Sequence, residues 1–209
     1  IIYGGFMALM QDDVKRLLAY SSVSQMGYII FGIASAFYIG ISGSVLQYVS
    51  HGTGKAILFM AAGSIILQTH GLRSISKMGG LAPKMPLTAT AALLGFLTIM
   101  GIPPTNGFQS EWMIFYGSFA GALERGDLAK LVVSGIALFA TPLTAGYSLL
   151  SIKRIFFGKL PENLGGVREA SPAITVPLLF LAFIVLLIGV YPTLFTERLL
   201  PAVRMLLGG

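Results

Sequence analysis

The chain of 209 residues is 55% hydrophobic and only 11% charged, with a mean hydropathy of +0.82, which is typical of a helical membrane protein with several spans. At about 20 residues per crossing, this length allows roughly five or six spans and excludes a sizeable soluble domain. The net charge of +6 does not indicate a nucleic-acid partner, because the basic residues flank apolar runs, and the lack of cysteine excludes disulfides and protein-ligated iron–sulfur clusters.

The chain begins with an apolar stretch at residues 1–10 that is typical of the end of a membrane span. Because its first residue is not methionine, we expect a fragment, or the C-terminal part of a longer subunit. A polar helix start follows in the segment 11–21, in which Asp12 and Asp13 suit the positive end of the helix dipole. We expect the chain to return into the membrane over residues 22–40.

A long predicted helix at 41–69 carries polar residues in its middle. Gln47, His51 and Lys55 recur every four residues and therefore share one stripe of the helix. Lys55 lies too deep for its short stem to reach the membrane surface easily. A charged side chain at membrane depth is costly and is a functional-site hypothesis by default.

Lys55 and His51 are candidate proton carriers. Burial disfavours the charged form of an amine, so Lys55 could lose and regain a proton as neighbouring charges change. His51 can take either protonation state near neutral pH, and repulsion between two cations on one face favours a single charge at a time. The alternatives are a lysine permanently paired with a carboxylate on another helix, and a histidine that only packs. Gln47 would either hold water for proton transfer or join helices by hydrogen bonds.

The next apolar run, at 87–100, is interrupted at 101–108 before an apolar segment resumes at 109–123. Two consecutive prolines in the interruption remove two amide donors and fix two φ angles, so a continuous helix is not expected there. The sequence predicts a discontinuous transmembrane helix. Its break is assigned to Gly101, Pro103, Pro104 and Gly107.

Glu111 follows this break, near the start of the second half-helix, where we expect Asn106 to be the cap. Half-helix N-termini favour negative charge and bring polar backbone to membrane depth, as in many transporters. Glu111 is therefore a candidate proton station. The alternative is an acid that only interacts with the helix dipole at the membrane interface.

Three further segments complete the predicted architecture. A span at about 130–152 should be kinked at Pro142, 173–190 is the most uniformly apolar span, and 193–207 could be an interfacial helix. The sequence thus predicts an all-α polytopic transmembrane helix bundle with one discontinuous helix.

Basic residues predict the orientation of the bundle. The side with the loops at 11–21, 70–86 and 153–171 holds more Lys and Arg than the other side, so we expect it to be cytoplasmic. Lys15 could be a surface anchor on that side or could reach into the polar axis of the bundle. The residues on that side are Lys15, Arg16, Arg73, Lys77, Lys84, Lys153, Arg154, Lys159 and Arg168, and those on the other are Arg125, Lys130, Arg198 and Arg204.

No other chemistry is indicated by the sequence. It lacks the glycine-rich motifs that bind nucleotides and the His-Glu-x-x-His motif of zinc proteases. Its two histidines and eight acidic residues are scattered and do not form a metal constellation. We therefore expect no cofactor, no metal and no redox or hydrolytic site in this chain.

Three motifs in order along the chain carry a resemblance to a known family. Residues 13–27 read Asp-Val-Lys-Arg-Leu-Leu-Ala-Tyr-Ser-Ser-Val-Ser-Gln-Met-Gly, residues 50–59 read Ser-His-Gly-Thr-Gly-Lys-Ala-Ile-Leu-Phe, and residues 101–112 read Gly-Ile-Pro-Pro-Thr-Asn-Gly-Phe-Gln-Ser-Glu-Trp. They resemble the antiporter-like membrane subunits of complex I, of Mrp-type cation/proton antiporters and of energy-converting membrane-bound hydrogenases.

The resemblance implies two inverted five-helix repeats, each with one broken helix, and a line of buried ionisable residues along the membrane midplane. Residues 1–123 would be a partial second repeat that includes its broken helix, and 124–209 would be C-terminal transmembrane helices and an interfacial helix. Lys55 is similar to the central lysine of the second repeat, His51 to the histidine one turn before it, and Glu111 to the terminal Lys or Glu on the broken helix.

The chain departs from the family pattern at two positions. Some members have a further histidine where Gln47 stands, so a water-holding amide would replace one titratable group. Glu111 differs from the lysine of the distal complex I subunit, and is more similar to a middle antiporter-like subunit or a hydrogenase-type relative.

The function that we expect from the resemblance is proton translocation in a subunit of a membrane oxidoreductase of the complex I or hydrogenase type. Its partners would be other membrane subunits, the lipid bilayer and protons, with redox chemistry in other subunits and a location in the plasma membrane or an equivalent energy-converting membrane. The alternatives are a subunit of an Mrp-type sodium/proton antiporter and a non-transporting structural subunit whose buried charges only fix helix registry.

Overall fold

The computed structural model describes residues 1–207, and over this range it is α-helical without a β-strand. The prediction of an all-α fold is therefore confirmed. Short 3₁₀ turns at Ile75–Lys77 and Glu162–Leu164 lie in two of the loops. The helices are α1 (Ile2–Leu9), α2 (Val14–Ala34), α3 (Tyr38–Gln68), α4 (Pro86–Ile99), α5 (Asn106–Glu124), α6 (Leu128–Phe139), α7 (Thr141–Phe156), α8 (Pro172–Val190) and α9 (Thr193–Leu206).

Helix α2 begins eight residues before the predicted span because Asp13 caps it. The Asp13 carboxylate accepts hydrogen bonds from the backbone amides of Lys15 (2.8 Å) and Arg16 (3.1 Å), which otherwise have no partner in the first turn of a helix. Most of the predicted loop at 11–21 is thus the first two turns of α2. The helix start that the two aspartates predict is therefore confirmed, and it is continuous with the span that was predicted from residue 22.

The start of α2 is tied to the loop that follows α3. Asp12 accepts hydrogen bonds from the hydroxyl of Ser74 and from the amide of Ser76 (2.7 Å), and Asp13 forms a salt bridge with Arg73 at 3.0 Å. The hydrogen bond from Ser74 is the main cause that lowers the pKa of Asp12 below its usual value of 3.8. We name these five residues the loop clip, and they fix the ends of α2 and α3 relative to each other.

Helix α3 is the central element of the fold. With 31 residues it extends about 46 Å at 1.5 Å per residue, and it packs against α2, α4, α5, α8 and α9. Its approach to α5 depends on small residues, since Gly43 lies against the backbone of Ile114, and Gly117 lies against the backbone of Gly40. Any side chain at these glycines would push the two helices apart.

Helices α4 and α5 are separated by the non-helical segment 100–105, as the two prolines predict. Pro103 has no amide hydrogen to donate to the Ile99 carbonyl four residues earlier, so the helical ladder stops there. The expectation that Asn106 caps α5 is wrong, because Thr105 occupies the cap position without a side-chain bond. That α4 and α5 together make a single membrane crossing stays a prediction.

The start of α4 is capped from a distant loop. The Glu169 carboxylate accepts hydrogen bonds from the amides of Leu87 (2.7 Å) and Thr88 (3.2 Å) and from the Thr88 hydroxyl (2.6 Å). These amides belong to the first turn of α4, where a negative charge is stabilising. The loop before α8 therefore anchors the helix that precedes the break.

Among residues 1–207, three segments are long and apolar enough to cross a membrane: Val14–Ala34, Leu128–Phe156 and Pro172–Val190. The second contains α6 and α7 and is interrupted at Ala140, next to the expected kink at Pro142. Helix α3 is longer than any of them but is not among them, because its middle carries the stripe of Gln47, His51 and Lys55. Polar residues at the centre of a helix lower its mean hydropathy, so hydropathy alone does not identify it as a membrane span.

Candidate functional site

Lys55 is buried in the middle of α3, with 6% of its surface exposed. Its Nζ donates hydrogen bonds to the Leu18 carbonyl (2.8 Å) and to the Ser21 hydroxyl on α2. Within residues 1–207 the salt bridge of the loop clip is the one ion pair, so no carboxylate pairs with Lys55. The described residues therefore do not form the permanent ion pair that was the alternative for Lys55.

Gln47 is also buried on α3, where its side-chain amide joins two other helices. Its Nε2 donates to Oε1 of Gln25 on α2, and its Oε1 accepts a hydrogen bond from the hydroxyl of Ser110 on α5. His51, between Gln47 and Lys55, is partly exposed, and its Nδ1 is buried without a hydrogen-bond partner within residues 1–207. The predicted stripe thus exists, but its three members differ in burial and bonding.

Glu111 lies on α5 beside the break, with 8% of its surface exposed. Its carboxyl group packs against the α-carbon of Gly101, where a Cβ would come within 2.9 Å of the Glu111 Cδ. Gly101 has a φ of +61°, a conformation that also favours glycine. As the sixth residue of α5, Glu111 lies beyond the first turn, where the helix dipole acts most strongly. A contact with the dipole alone therefore does not account for its burial.

Gln25 is a central member of this site that sequence reasoning missed. Its Nε2 donates a hydrogen bond of 3.1 Å to the Ile99 carbonyl, and its side chain lies next to Glu111. The Ile99 carbonyl is available because Pro103 cannot donate to it. Gln25 therefore supplies the donor that the break removes and connects α2 to the end of α4. No local signal distinguishes Gln25 in the sequence, because neutral polar residues are common in transmembrane helices.

Hydroxyl groups of α2 and α7 complete the polar interior. The hydroxyls of Tyr28, Thr144, Tyr147 and Ser148 are buried without a hydrogen-bond partner within residues 1–207, as is Oε1 of Glu111. Tyr147 lies beside Ser21, which accepts a hydrogen bond from Lys55, and beside Gln25, which lies next to Glu111. Buried polar atoms without a protein partner are the groups that ordered water usually satisfies. We name Lys55, Ser21, Gln25, Gln47, Tyr28, Tyr147, Ser110 and Glu111 the polar core.

The other predicted site residues lie outside the polar core. Lys15 is exposed in the first turn of α2. Gly101, Pro103 and Pro104 lie in the non-helical segment, whereas Gly107 is the second residue of α5. A Cβ at Gly107 would collide with the Thr98 carbonyl, so this glycine allows α5 to start close to the end of α4.

The arrangement can hold and pass protons. An amine and a carboxyl group are buried in one interior, and hydroxyl and amide groups on α2, α3 and α7 lie between them. Neither group is neutralised by an ion pair within residues 1–207, so the protonation state of each can respond to a change in a nearby charge. Over the same residues no three His, Asp or Glu side chains come together in a group suited to hold a metal ion.

Comparison with known proteins agrees with the motifs. The family described as NADH:quinone oxidoreductase/Mrp antiporter, TM, matches residues 1–139. The F(420)H(2) dehydrogenase subunit M of Methanosarcina mazei is 39% identical over 193 residues, which cover 92% of this chain and 37% of that subunit. The chain thus spans less than two fifths of the length of this relative.

Solved structures share the fold of the chain. A chain of respiratory complex I from Thermus thermophilus superposes with a TM-score of 0.85 and 28% identity, covering 100% of this chain and 43% of that one. A chain of the Mrp complex from Dietzia sp. superposes with a TM-score of 0.82 and 26% identity, covering 96% of this chain and 44% of that one. The helical bundle with its interrupted helix pair is therefore similar to part of larger membrane subunits.

Proposed function

Because the chain belongs to the NADH:quinone oxidoreductase/Mrp antiporter transmembrane family, we propose that it is the part of a membrane oxidoreductase subunit that translocates protons. The observation that carries this proposal is Lys55, a buried amine in the middle of a long helix without a carboxylate partner among residues 1–207. Such a group can change its protonation state when a nearby charge changes. A lysine held in a permanent ion pair would resist that change.

The proposal assigns a role to each of the predicted site residues on α2, α3 and α5. A charge change arriving from a neighbouring subunit alters the proton affinity of Lys55. His51, one turn away, exchanges a proton with Lys55, and Glu111 exchanges one with the far side of the membrane or the next subunit. Gln47 orders the hydrogen bonds between α2 and α5 and carries no proton itself. Lys15, which is exposed, acts as a surface anchor.

The host complex, the membrane and the orientation of the chain are part of the same proposal. Electron transfer takes place in other subunits of a complex of the complex I or hydrogenase type, and this chain holds no cofactor. The bundle lies in the plasma membrane or an equivalent energy-converting membrane. The start of α2 and the loops at 70–86 and 153–171, which hold most of the basic residues, face the cytoplasm.

A second candidate is a subunit of a sodium/proton antiporter. The unpartnered Oε1 of Glu111 and the non-helical segment 100–105 place a carboxylate beside irregular backbone. Oxygen atoms of these two kinds are the ligands that a sodium ion would need. Proton transport by reconstituted vesicles that depends on sodium would favour this candidate over the oxidoreductase subunit.

The proposal is tested with Lys55→Ala in the complete complex, reconstituted into vesicles. We expect assembly to persist and coupled proton pumping to fall about tenfold or more, because proton-transfer groups typically contribute factors of that size or larger. Lys159→Ala, at an exposed loop position, is the matched control and should pump normally. Full pumping by an assembled Lys55→Ala complex would refute the relay and leave the structural-subunit alternative.

A further inference from the structure

A groove lies between the start of α4 and the end of α7. Its walls include Pro86, Ala89 and Leu93, which share one face of α4, and Ile152 and Phe156 on α7. From Pro86 to Leu93 the groove follows two turns of α4, about 10 Å at 1.5 Å per residue. Its volume is about 210 Å³. The two helices therefore leave a gap on the surface of the bundle.

The lining of the groove is apolar. Among residues 1–207, the one polar side chain in it is Thr90, whose hydroxyl donates to the Pro86 carbonyl at 2.8 Å. At one end, the backbone amide of Ala82 donates to the Phe156 carbonyl at 3.0 Å, which joins the loop before α4 to the end of α7. The groove thus offers a guest apolar contacts without a directed hydrogen bond, which suits hydrocarbon better than a polar group.

Positive charge lies at the end of the groove that Ala82 closes. Lys84 stands in the chain between the lining residues Ala82 and Pro86, and Lys153 is exposed in the last turn of α7. The Lys84 Nζ donates to the Gly165 carbonyl at 2.9 Å, which leaves two of its three ammonium hydrogens for another acceptor. The acid at the start of α4, Glu169, is bonded to the first turn of that helix. An anion at the membrane surface would therefore be attracted to this end.

The size of the groove favours one acyl chain over a helix from another subunit. One turn of α-helix, 5.4 Å long and about 10 Å wide, occupies roughly 400 Å³, which is about twice the volume of the groove. If a methylene group takes about as much space as a water molecule, some 30 Å³, the groove holds roughly seven of them. It therefore accommodates part of a single lipid chain.

We propose that this groove, which we name the acyl groove, binds one acyl chain of an anionic phospholipid, with the lipid phosphate near Lys84 and Lys153. The chain belongs to a transmembrane family, so lipid is present at its surface. The bound acyl chain fills the gap between α7 and α4, the first helix of the interrupted pair. The proposal does not depend on proton translocation.

A second apolar groove provides an internal comparison. It lies between α1 and the junction of α6 and α7, is lined by Phe6, Phe139 and Leu143 among others, and has a larger volume of about 340 Å³. No charged side chain lies within five positions of its lining residues along the chain. This comparison groove should therefore accept lipid without regard to the charge of the headgroup.

The proposal is tested by photocrosslinking in the complete complex, reconstituted into phosphatidylcholine vesicles with a small amount of a lipid that carries a diazirine in its acyl chain. This probe has a phosphatidylglycerol or a phosphatidylcholine headgroup, and crosslinked residues are identified by mass spectrometry. We expect the acyl groove to react at least about fivefold more with the phosphatidylglycerol probe, because each basic residue near a membrane surface favours anionic lipid by roughly that factor. The comparison groove should react equally with both probes.

Variants test the charge and the volume of the acyl groove separately. Lys84→Gln combined with Lys153→Gln should lower its reaction with the phosphatidylglycerol probe to that with the phosphatidylcholine probe. The matched control is Arg16→Gln combined with Lys77→Gln, which removes the same charge from exposed positions outside the groove and should keep the preference. Ala89→Phe should reduce reaction of the groove with both probes, because the ring occupies its volume.

Equal reaction of the acyl groove with the two probes in the parent complex would overturn the proposal. A lack of crosslinks there while the comparison groove is labelled would also overturn it, because another subunit would then cover the acyl groove. Both outcomes are read from the parent complex and do not depend on the assembly of Ala89→Phe. Lys55→Ala should leave the crosslinks unchanged, so this test and the test of the proposed function fail or succeed separately.

Discussion

Carboxylates occur in two contrasting regions of this molecule. In the loop clip, Asp12 accepts several hydrogen bonds from Ser74 and Ser76, and Asp13 caps a helix and pairs with Arg73. In the polar core, Glu111 is buried, and its Oε1 has no partner within residues 1–207. Saturated carboxylates hold their charge and join segments of chain, whereas an unsaturated buried carboxylate can change its protonation state.

The same contrast distinguishes the hydroxyl groups. Ser74 and Ser76 donate to Asp12, while the hydroxyls of Tyr28 and Tyr147 in the polar core, and of Thr144 beside it, have no protein partner within residues 1–207. A polar group buried without compensation costs free energy, so a fold retains it only where water or function requires it. The loop clip is therefore interpreted as structural and the polar core as functional, and the following variants test that division.

The largest effect is expected for Glu111→Gln. The amide keeps the size of the side chain but cannot exchange a proton, so we expect pumping to fall about tenfold or more while the complex still assembles. Proton pumping in reconstituted vesicles measures the effect. Glu169→Gln is the matched control, because Glu169 is a carboxylate that only caps α4. It should weaken stability and leave pumping per assembled complex unchanged.

Normal pumping by Glu111→Gln would show that Glu111 is structural, like the carboxylates of the loop clip, and would contradict the distinction between the two regions. A loss of pumping in both variants would show that the position of α4 alone controls transport. Only a loss confined to Glu111→Gln supports its role as a proton station.

A smaller effect is expected for Gln25→Leu. The substitution leaves the Ile99 carbonyl without a donor and removes the contact with Gln47, at a cost of about 1–3 kcal/mol in the free energy of unfolding. Pumping should fall several-fold, because the end of α4 and Glu111 are no longer held in register. Gln25→Asn, which keeps a shorter amide, should recover part of the stability. Equal stability of Gln25→Leu and the parent, measured by thermal unfolding of the purified complex, would contradict this role.

The sequence predicted the ionisable members of the site because charged residues are rare at membrane depth. Lys55 and Glu111 stand out in apolar segments, and the double proline identifies the break without reference to any other helix. Neutral polar residues do not stand out in this way, since they are common in transmembrane helices. Gln25 and Thr144 acquire a role only when packing brings α2 and α7 beside the break, which a single sequence does not specify.

Helix boundaries were least predictable where polar residues occur inside helices. The start of α2 depends on Asp13 and on contacts with Arg73, which is 60 residues away along the chain. Local composition indicated a helix start near the two aspartates, and the tertiary contacts fix its first residue at Val14. The cap of α4 by Glu169 is also non-local and could not be read from the residues next to Pro86.

The smallest effect is expected in the loop clip, for Asp12→Ala. Because the folded-state pKa of Asp12 lies below its usual value of 3.8, the carboxylate stabilises the loop above about pH 4, and this contribution is lost as the pH falls through the folded-state pKa. Hydrogen exchange of the Ser76 amide, which donates to Asp12 at 2.7 Å, should be a few-fold faster in Asp12→Ala than in the parent at pH 7. The ratio of the two rates should approach one only when the pH is below the folded-state pKa of Asp12, whereas pumping at pH 7 should not change. A large loss of pumping in this variant would mean that the loop clip also takes part in proton transfer, and that saturated hydrogen bonding does not distinguish the two regions.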